Sequence, residues 1–319
     1  MNNLIFSLNA MMPLFLYMVV GMLLRRLGIV NEATANGMNK FVFTVGIPVL
    51  LFSDLASVDI SKVWNPGFIG FCFAATLGGI AVSFVFSLLF RTTSYQGEFV
   101  QAAYRSSASL LAIGVIQNIY GSAGIAPLMV LGAVPLYNVM AVLILVLMRP
   151  RVAVEGAAAP RQVSAKETVL DVCKNPIILG IVVGLLWALL RIPVPTILAR
   201  TVSGIGGAAT PVGFIAMGVL FDFKKALGMR GPTSLAVFIK LILLVALTVP
   251  VGVALGYRGQ ELVAVLVMMG SATTLSSFVM ARSMGHAGTL TSSVVMLSTL
   301  LSAFTLTGWL WLLKTLALI

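Results

Sequence analysis

Charge is what this sequence has least of: 9% of its 319 residues are charged, 60% are hydrophobic, and the mean hydropathy is +1.08. A water-soluble globule carries about a quarter charged residues, so that class is excluded and the expected solvent is lipid. One histidine and nine acidic residues supply no His cluster, no paired carboxylates and no nucleophile with its base. An enzyme working in lipid needs one of these, so neither catalytic residues nor enzymatic activity are expected. The two cysteines, Cys72 inside an apolar run and Cys173 near a helix start, have neither disulfide nor metal spacing. Inert packing is their expected role, and no metal or cofactor is expected.

Two further absences narrow the class. The strict alternation of a transmembrane barrel is missing. No Lys or Arg precedes the first apolar run, Arg25 and Arg26 follow it, and no small-residue cleavage site ends it, so it reads as a retained helix.

What is present is a succession of apolar runs of about twenty residues, each long enough to cross roughly 30 Å of hydrocarbon as helix. Spans are expected near Leu4–Leu24, Asn39–Leu55, Gly67–Phe90, Ala102–Ile119 and Ala126–Met148. A second set follows at Pro176–Leu190, Val202–Phe221, Thr233–Leu255, Glu261–Ala281 and Leu290–Leu313. The expected fold class is an all-α polytopic membrane protein with ten transmembrane helices.

The net charge of +11 fits this topology better than a nucleic-acid partner, which is set aside. With the N-terminus outside, 14 of the 20 basic residues fall in cytoplasmic connections, Arg91, Arg105, Lys224 and Arg282 among them. Five lie outside (Lys62, Arg191, Arg200, Arg258 and Lys314), and Lys240 alone sits within a span. The bias puts both termini of a multi-pass inner-membrane protein outside the cytoplasm. The bilayer is thus its first partner.

Arg149–Lys174, with Pro150, Gly156 and Pro160, reads as a cytoplasmic linker between residues 1–148 and 175–319. Sliding the second part on the first by 163 or 164 positions aligns Pro13 with Pro176 and Val19-Val20-Gly21 with Val182-Val183-Gly184. It also aligns Ser107-Ala108 with Ser271-Ala272 and Gly121 with Gly285. Two blocks in one order at one offset indicate a duplication. Five spans per copy make the copies insert with opposite orientation, the inverted-repeat plan of many secondary transporters. Such carriers place interrupted helices at the pseudo-twofold axis, and spans four and nine, the most polar membrane stretches, are the candidates. Their hydroxyls suit helix N-termini meeting an anion. Small and hydroxylated residues are also ordinary packing surface in membrane helices, and the paired register tips the balance toward a site.

The chain resembles the auxin efflux carrier family, the bacterial relatives of plant PIN proteins and malonate transporters, over nearly its whole length. The resemblance rests on Asn39-Lys-Phe-Val-Phe-Thr-Val-Gly-Ile-Pro-Val-Leu-Leu-Phe52, Ile119-Tyr-Gly121, Val134-Pro-Leu-Tyr-Asn138, Asn175-Pro-Ile-Ile-Leu-Gly180 and Phe278-Val-Met-Ala-Arg282. It implies a five-plus-five inverted repeat with broken crossing helices four and nine, and elevator-type export of a small organic anion such as auxin or malonate. It leaves a homodimer open. Many relatives have Asn near the start of span four and Pro at its break, where Ser107 and Gly114 stand here; in span nine the proline position corresponds to Ser276 or Ser277. Glycine interrupts a helix less sharply than proline does.

The substrate-contact candidates are therefore Ser107, Ser109, Gly114, Asn138, Thr273, Thr274, Ser276 and Ser277, with Lys240 and Asp54 as candidates for coupling or gating. Lys240 lies about a third of the way across span eight, where a charge is costly unless paired or wetted; it either meets a carboxylate or latch, or snorkels to the cytoplasmic surface. Asp54 and Asp222 read as wetted ends of spans two and seven, Pro48 and Pro135 as kinks, and His286 as a solvated loop residue. No coupling-ion site is demanded, since the membrane potential supplies about 2.3 kcal/mol per 100 mV for a departing monoanion. A receptor that binds the same ligand without transporting it is the alternative.

Overall fold

The computed structural model describes residues 2–56, 65–91, 93–107, 115–116, 119–121, 124–148, 174–190 and 194–319, with side chains from residue 12 onward. Within these, all regular structure is helical. The linker expected at Arg149–Lys174, apart from Lys174, and Ser109, Gly114 and Cys173 lie outside the described residues.

The first part of the chain forms α1 (Asn2–Arg26), α2 (Glu32–Phe41), α3 (Ile47–Ala56), α4 (Pro66–Ser87), α5 (Gln96–Tyr104) and α6 (Ala126–Leu147). The second forms α7 (Pro176–Leu190), α8 (Thr196–Leu220), the short α9 (Phe223–Gly228), α10 (Arg230–Phe238), α11 (Leu244–Ala254), α12 (Gly259–Gly270), α13 (Leu275–Ser283) and α14 (Thr289–Thr315). Five-residue π-helical turns, Val42–Gly46 and Ile239–Leu243, join α2 to α3 and α10 to α11 without a break. Among the described residues seven helical stretches are long and apolar enough to cross a membrane, so the protein is a multi-pass membrane protein.

Helix starts follow local chemistry. Asn31 accepts from the Thr34 N–H at 2.8 Å, and Asn65, followed by Pro66, accepts from the Phe68 N–H at 3.0 Å. A side-chain oxygen there satisfies one of the donors that an α-helix leaves free at its start. Asp222, expected as a wetted end, caps α9 by accepting from Lys224 and Lys225, and these backbone donors, Lys225 first, hold its carboxyl below the usual range.

Helices from the two parts of the sequence interleave. α1 runs along α8 and α3 along α7, and both contacts are closer than side chains allow. A Cβ built on Gly21 would lie 2.1 Å from the Ile215 carbonyl oxygen, and one on Gly218 2.1 Å from that of Met18. In the other pair a Cβ on Gly180 would meet the Pro48 oxygen at 2.5 Å and one on Gly184 the Phe52 Cα at 3.1 Å. Lipid tails are as apolar as Leu, so close backbone packing at small residues is what holds such helices together.

A residue read from the sequence as solvated is buried. His286 is fully enclosed, with Nε2 2.9 Å from the Leu145 carbonyl oxygen, because the turn after α13 folds back under α6. Glu98, which no motif singles out, is buried too: it accepts from the N–H groups of Gly288 (2.9 Å) and Thr291 (3.1 Å) and from the Thr291 hydroxyl (3.0 Å). A carboxylate at the start of α14 meets both its free donors and the positive end of its dipole.

Candidate functional site

Two helices are interrupted where they cross. α5 stops at Tyr104, and Arg105 is extended (φ −72°, ψ 134°); α12 stops at Gly270, and Ser271 (φ −75°, ψ 162°) and Thr274 (φ −69°, ψ 144°) are extended before α13 begins. The extended pieces are tied together by the Ser107 N–H donating to the Ala272 carbonyl at 2.9 Å. The Thr273 hydroxyl donates to Ala102 O (2.8 Å) and the Gln101 amide to Ser277 O (2.9 Å). These bonds replace part of what each helix loses, which is the condition for non-helical backbone at membrane depth. The interruptions differ from those expected. In span nine the break precedes Ser276 and Ser277, which lie in the first turn of α13, and in span four the helix already ends at Tyr104, before Gly114. Ser106 and Thr273, one from each segment, donate across the crossing to the Met268 and Ala102 carbonyls.

A cavity of about 90 Å³ opens on one side of the crossing. Its polar wall holds Arg105, Ser106, Ser107, Tyr137, Asn138, Thr273, Thr274, Ser276 and Thr299, from α6, α13, α14 and the two extended segments. Its other wall, from α1, α3 and α8, is apolar (Leu14, Leu50, Leu51, Phe214) except for Asp54 and Thr210. Five candidates from the sequence thus gather here: Ser107, Asn138, Thr273, Thr274 and Ser276. Asp54 joins them from across the cavity rather than standing as a wetted end. Ser277 does not line the cavity and is fully buried.

Arg105 is the residue that the sequence misplaced. Counted among cytoplasmic connections, it is 1% exposed, and it has two strong bonds at the cavity edge. Its Nη2 donates to Asn138 Oδ1 and to Ser276 Oγ, both at 2.7 Å, while Nη1 reaches Gln101 Oε1 at 3.5 Å. Among the described residues no carboxylate lies within ion-pair distance of it; the one ion pair there is Arg25 with Glu32. The usable signal was its place directly before Ser106-Ser107 in a span read as broken.

Beside this cation starts α13, whose N-cap Thr274 makes no capping bond from its side chain. Free N–H groups and the positive dipole end of a helix favour an anion, and a guanidinium forks onto carboxylate oxygens. The polar wall thus presents a buried cation and a helix start, and the opposite wall is apolar apart from Asp54 and Thr210.

Lys240 faces the other side of the crossing. It is 0% exposed, which rules out snorkelling, and its Nζ donates to Met269 O at 2.6 Å, Tyr104 O at 3.2 Å and Ser106 Oγ. It meets no carboxylate among the described residues.

A family model described as membrane transport protein matches residues 6–310. No curated protein matches the chain.

Proposed function

From the premise that the chain belongs to the membrane transport protein family, the auxin efflux carrier family, we propose that it is a secondary transporter of a small organic anion across the cell inner membrane. The observation that carries the substrate class is Arg105: a buried guanidinium on a cavity wall, beside a helix N-terminus, with no carboxylate among the described residues within ion-pair distance, Asp54 standing on the opposite wall. The carboxylate of a substrate completes that arrangement, with its apolar part against Leu14, Leu50, Leu51 and Phe214.

The architecture of this reading is ten spans in a five-plus-five inverted repeat, residues 1–148 and 175–319. Its support is a contact made twice. Gly21 and Gly184 occupy equivalent places at the offset of 163; Gly21 presses on α8 and Gly184 on α3. If spans one and six are copies, and spans two and seven, these are one interface repeated upside down. The bond from Ser107 to Ala272 joins the two equivalent segments, as a contact on the twofold axis of such a repeat would.

The two walls support an elevator-type movement, and export is the direction proposed for it. One belongs to α1, α3 and α8, the other to the helices around the crossing, so sliding one wall past the other carries the cavity across. The basic residues favour both termini outside even without Arg105.

Purified protein in liposomes, offered a broad panel of labelled mono- and dicarboxylates, tests the proposal. Counterflow of at least one anion, abolished in Arg105→Gln, is the expected result. Binding without flux would favour the receptor, and no response to any carboxylate would remove the anion assignment.

A further inference from the structure

Two helix ends and one ammonium group meet behind the crossing. The last turns of α5 and α12 leave carbonyl groups without intrahelical partners, and each helix end carries about half a negative charge. Tyr104 O belongs to the final residue of α5 and Met269 O to the penultimate residue of α12, and both accept from Nζ of Lys240, as does Ser106 Oγ. The π-helical turn Ile239–Leu243 carries the lysine there. A buried charge in a membrane span is costly, and here its compensation comes from backbone ends rather than from an acid.

Among the described residues the partners of this ammonium are all oxygens: two carbonyls at the C-terminal ends of interrupted helices and one hydroxyl. That set is the one hard cations take, and half-helix C-termini with unwound carbonyls are where ion-coupled carriers seat Na⁺. We infer that Lys240 fills this seat with its own ammonium, a cation tethered to the chain in the place of a coupling ion. The carrier then needs neither Na⁺ nor K⁺, and its anion crosses alone. The meaning for coupling rests on the transport reading above; the occupied seat does not.

Two variants separate charge from volume. Lys240→Met removes the charge and keeps the space filled, whereas Lys240→Ala removes the charge and opens room for a free cation. Thermal unfolding of the purified full chain is measured in sodium chloride, ethylammonium chloride or N-methyl-D-glucamine chloride at equal ionic strength. The wild type should unfold at one temperature in all three, and Lys240→Met should be lowered equally in all three. Lys240→Ala should be lowered in N-methyl-D-glucamine and recover by roughly 5 °C when the small cation is present at about a hundred times its dissociation constant. Anion flux through Lys240→Ala should then require sodium, while that of the wild type does not.

Stabilisation of the wild type by sodium overturns the inference, and that measurement needs no variant. Failure of Lys240→Ala to respond to either small cation overturns it as well. Cation rescue of stability alongside a wild type that moves no anion would sink the transport reading and leave this one standing. Wild-type flux driven by a sodium gradient would do the reverse.

Discussion

The same substitution, Gly to Ala, should have opposite signs at two positions of one helix. Gly218 and Gly207 both lie in α8. At Gly218 the new Cβ falls 2.1 Å from the Met18 carbonyl oxygen, while at Gly207 nothing stands within 4 Å. An ordinary carbon to oxygen contact is about 3.3–3.6 Å, so Gly218→Ala forces α1 and α8 apart by more than 1 Å. The obstacle is backbone and cannot rotate away. Overpacking of this kind costs about 1–3 kcal/mol, and here the upper end applies because the separated helices also lose their contact along the neighbouring turns. Gly207→Ala removes only the entropic penalty of an exposed helical glycine and should gain roughly 0.5–1 kcal/mol. In a thermal unfolding assay in detergent the two variants should move in opposite directions and end on the order of 5 °C or more apart. Gly21→Ala, which meets the Ile215 oxygen at 2.1 Å, should follow Gly218→Ala. Equal stability of Gly218→Ala and Gly207→Ala would refute the close approach of α1 to α8, and with it the first of the two contacts that support the repeat.

Arg105→Gln should weaken binding of the transported carboxylate by about 30-fold or more, the equivalent of roughly 2 kcal/mol for loss of one partner in a buried charge pair, measured by titration calorimetry. Glu98→Ala should destabilise the protein by about 2–5 kcal/mol, read as a fall in unfolding temperature, because the Gly288 and Thr291 donors lose their buried acceptor. Glu98→Gln should fall between that variant and the wild type. Ser276→Ala should leave stability within about 1 kcal/mol and lower anion affinity several-fold, since it removes one partner of Arg105 while the charge stays.

Much of the fold is legible in the sequence because the signal is coarse. An apolar helix was expected at Pro176–Leu190 and is found there, fixed by Pro176 at its start and the end of the apolar run, shorter than the seven stretches long enough to cross a membrane. Span two starts earlier than expected, at Glu32, because its first turns are amphipathic and only the later ones carry a continuous apolar run. The π-helical turns left no trace, since one surplus residue in a mostly apolar helix changes no pattern. The site was half legible. The hydroxyl-rich stretches pointed to the crossing, but without a proline the exact places of interruption were not marked. Arg105 was misread because an orientation rule that counts basic residues cannot see depth, and its neighbours Gln101 and Ser106 look like the edge of a loop. His286 was misread for the same reason: a Gly-rich turn resembles a wet one, and only tertiary packing under α6 makes it dry.

The surplus residue in the turn Ile239–Leu243 has a consequence for how this protein can vary. A π-helical turn holds one residue more than the α-helix it interrupts, so the segments before and after it are out of phase by about 100°. The indole N–H of Trp309 donates to the Leu241 oxygen at 3.0 Å on this turn. The direction in which Lys240 points is therefore encoded by chain length. A one-residue deletion anywhere between Ile239 and Leu243 would regularise the helix and swing its two ends against each other, with the amine or the outer faces losing their alignment, although composition and hydropathy would hardly change. Relatives of different length at this turn are thus expected to differ in how the crossing is neutralised, even where their sequences read alike.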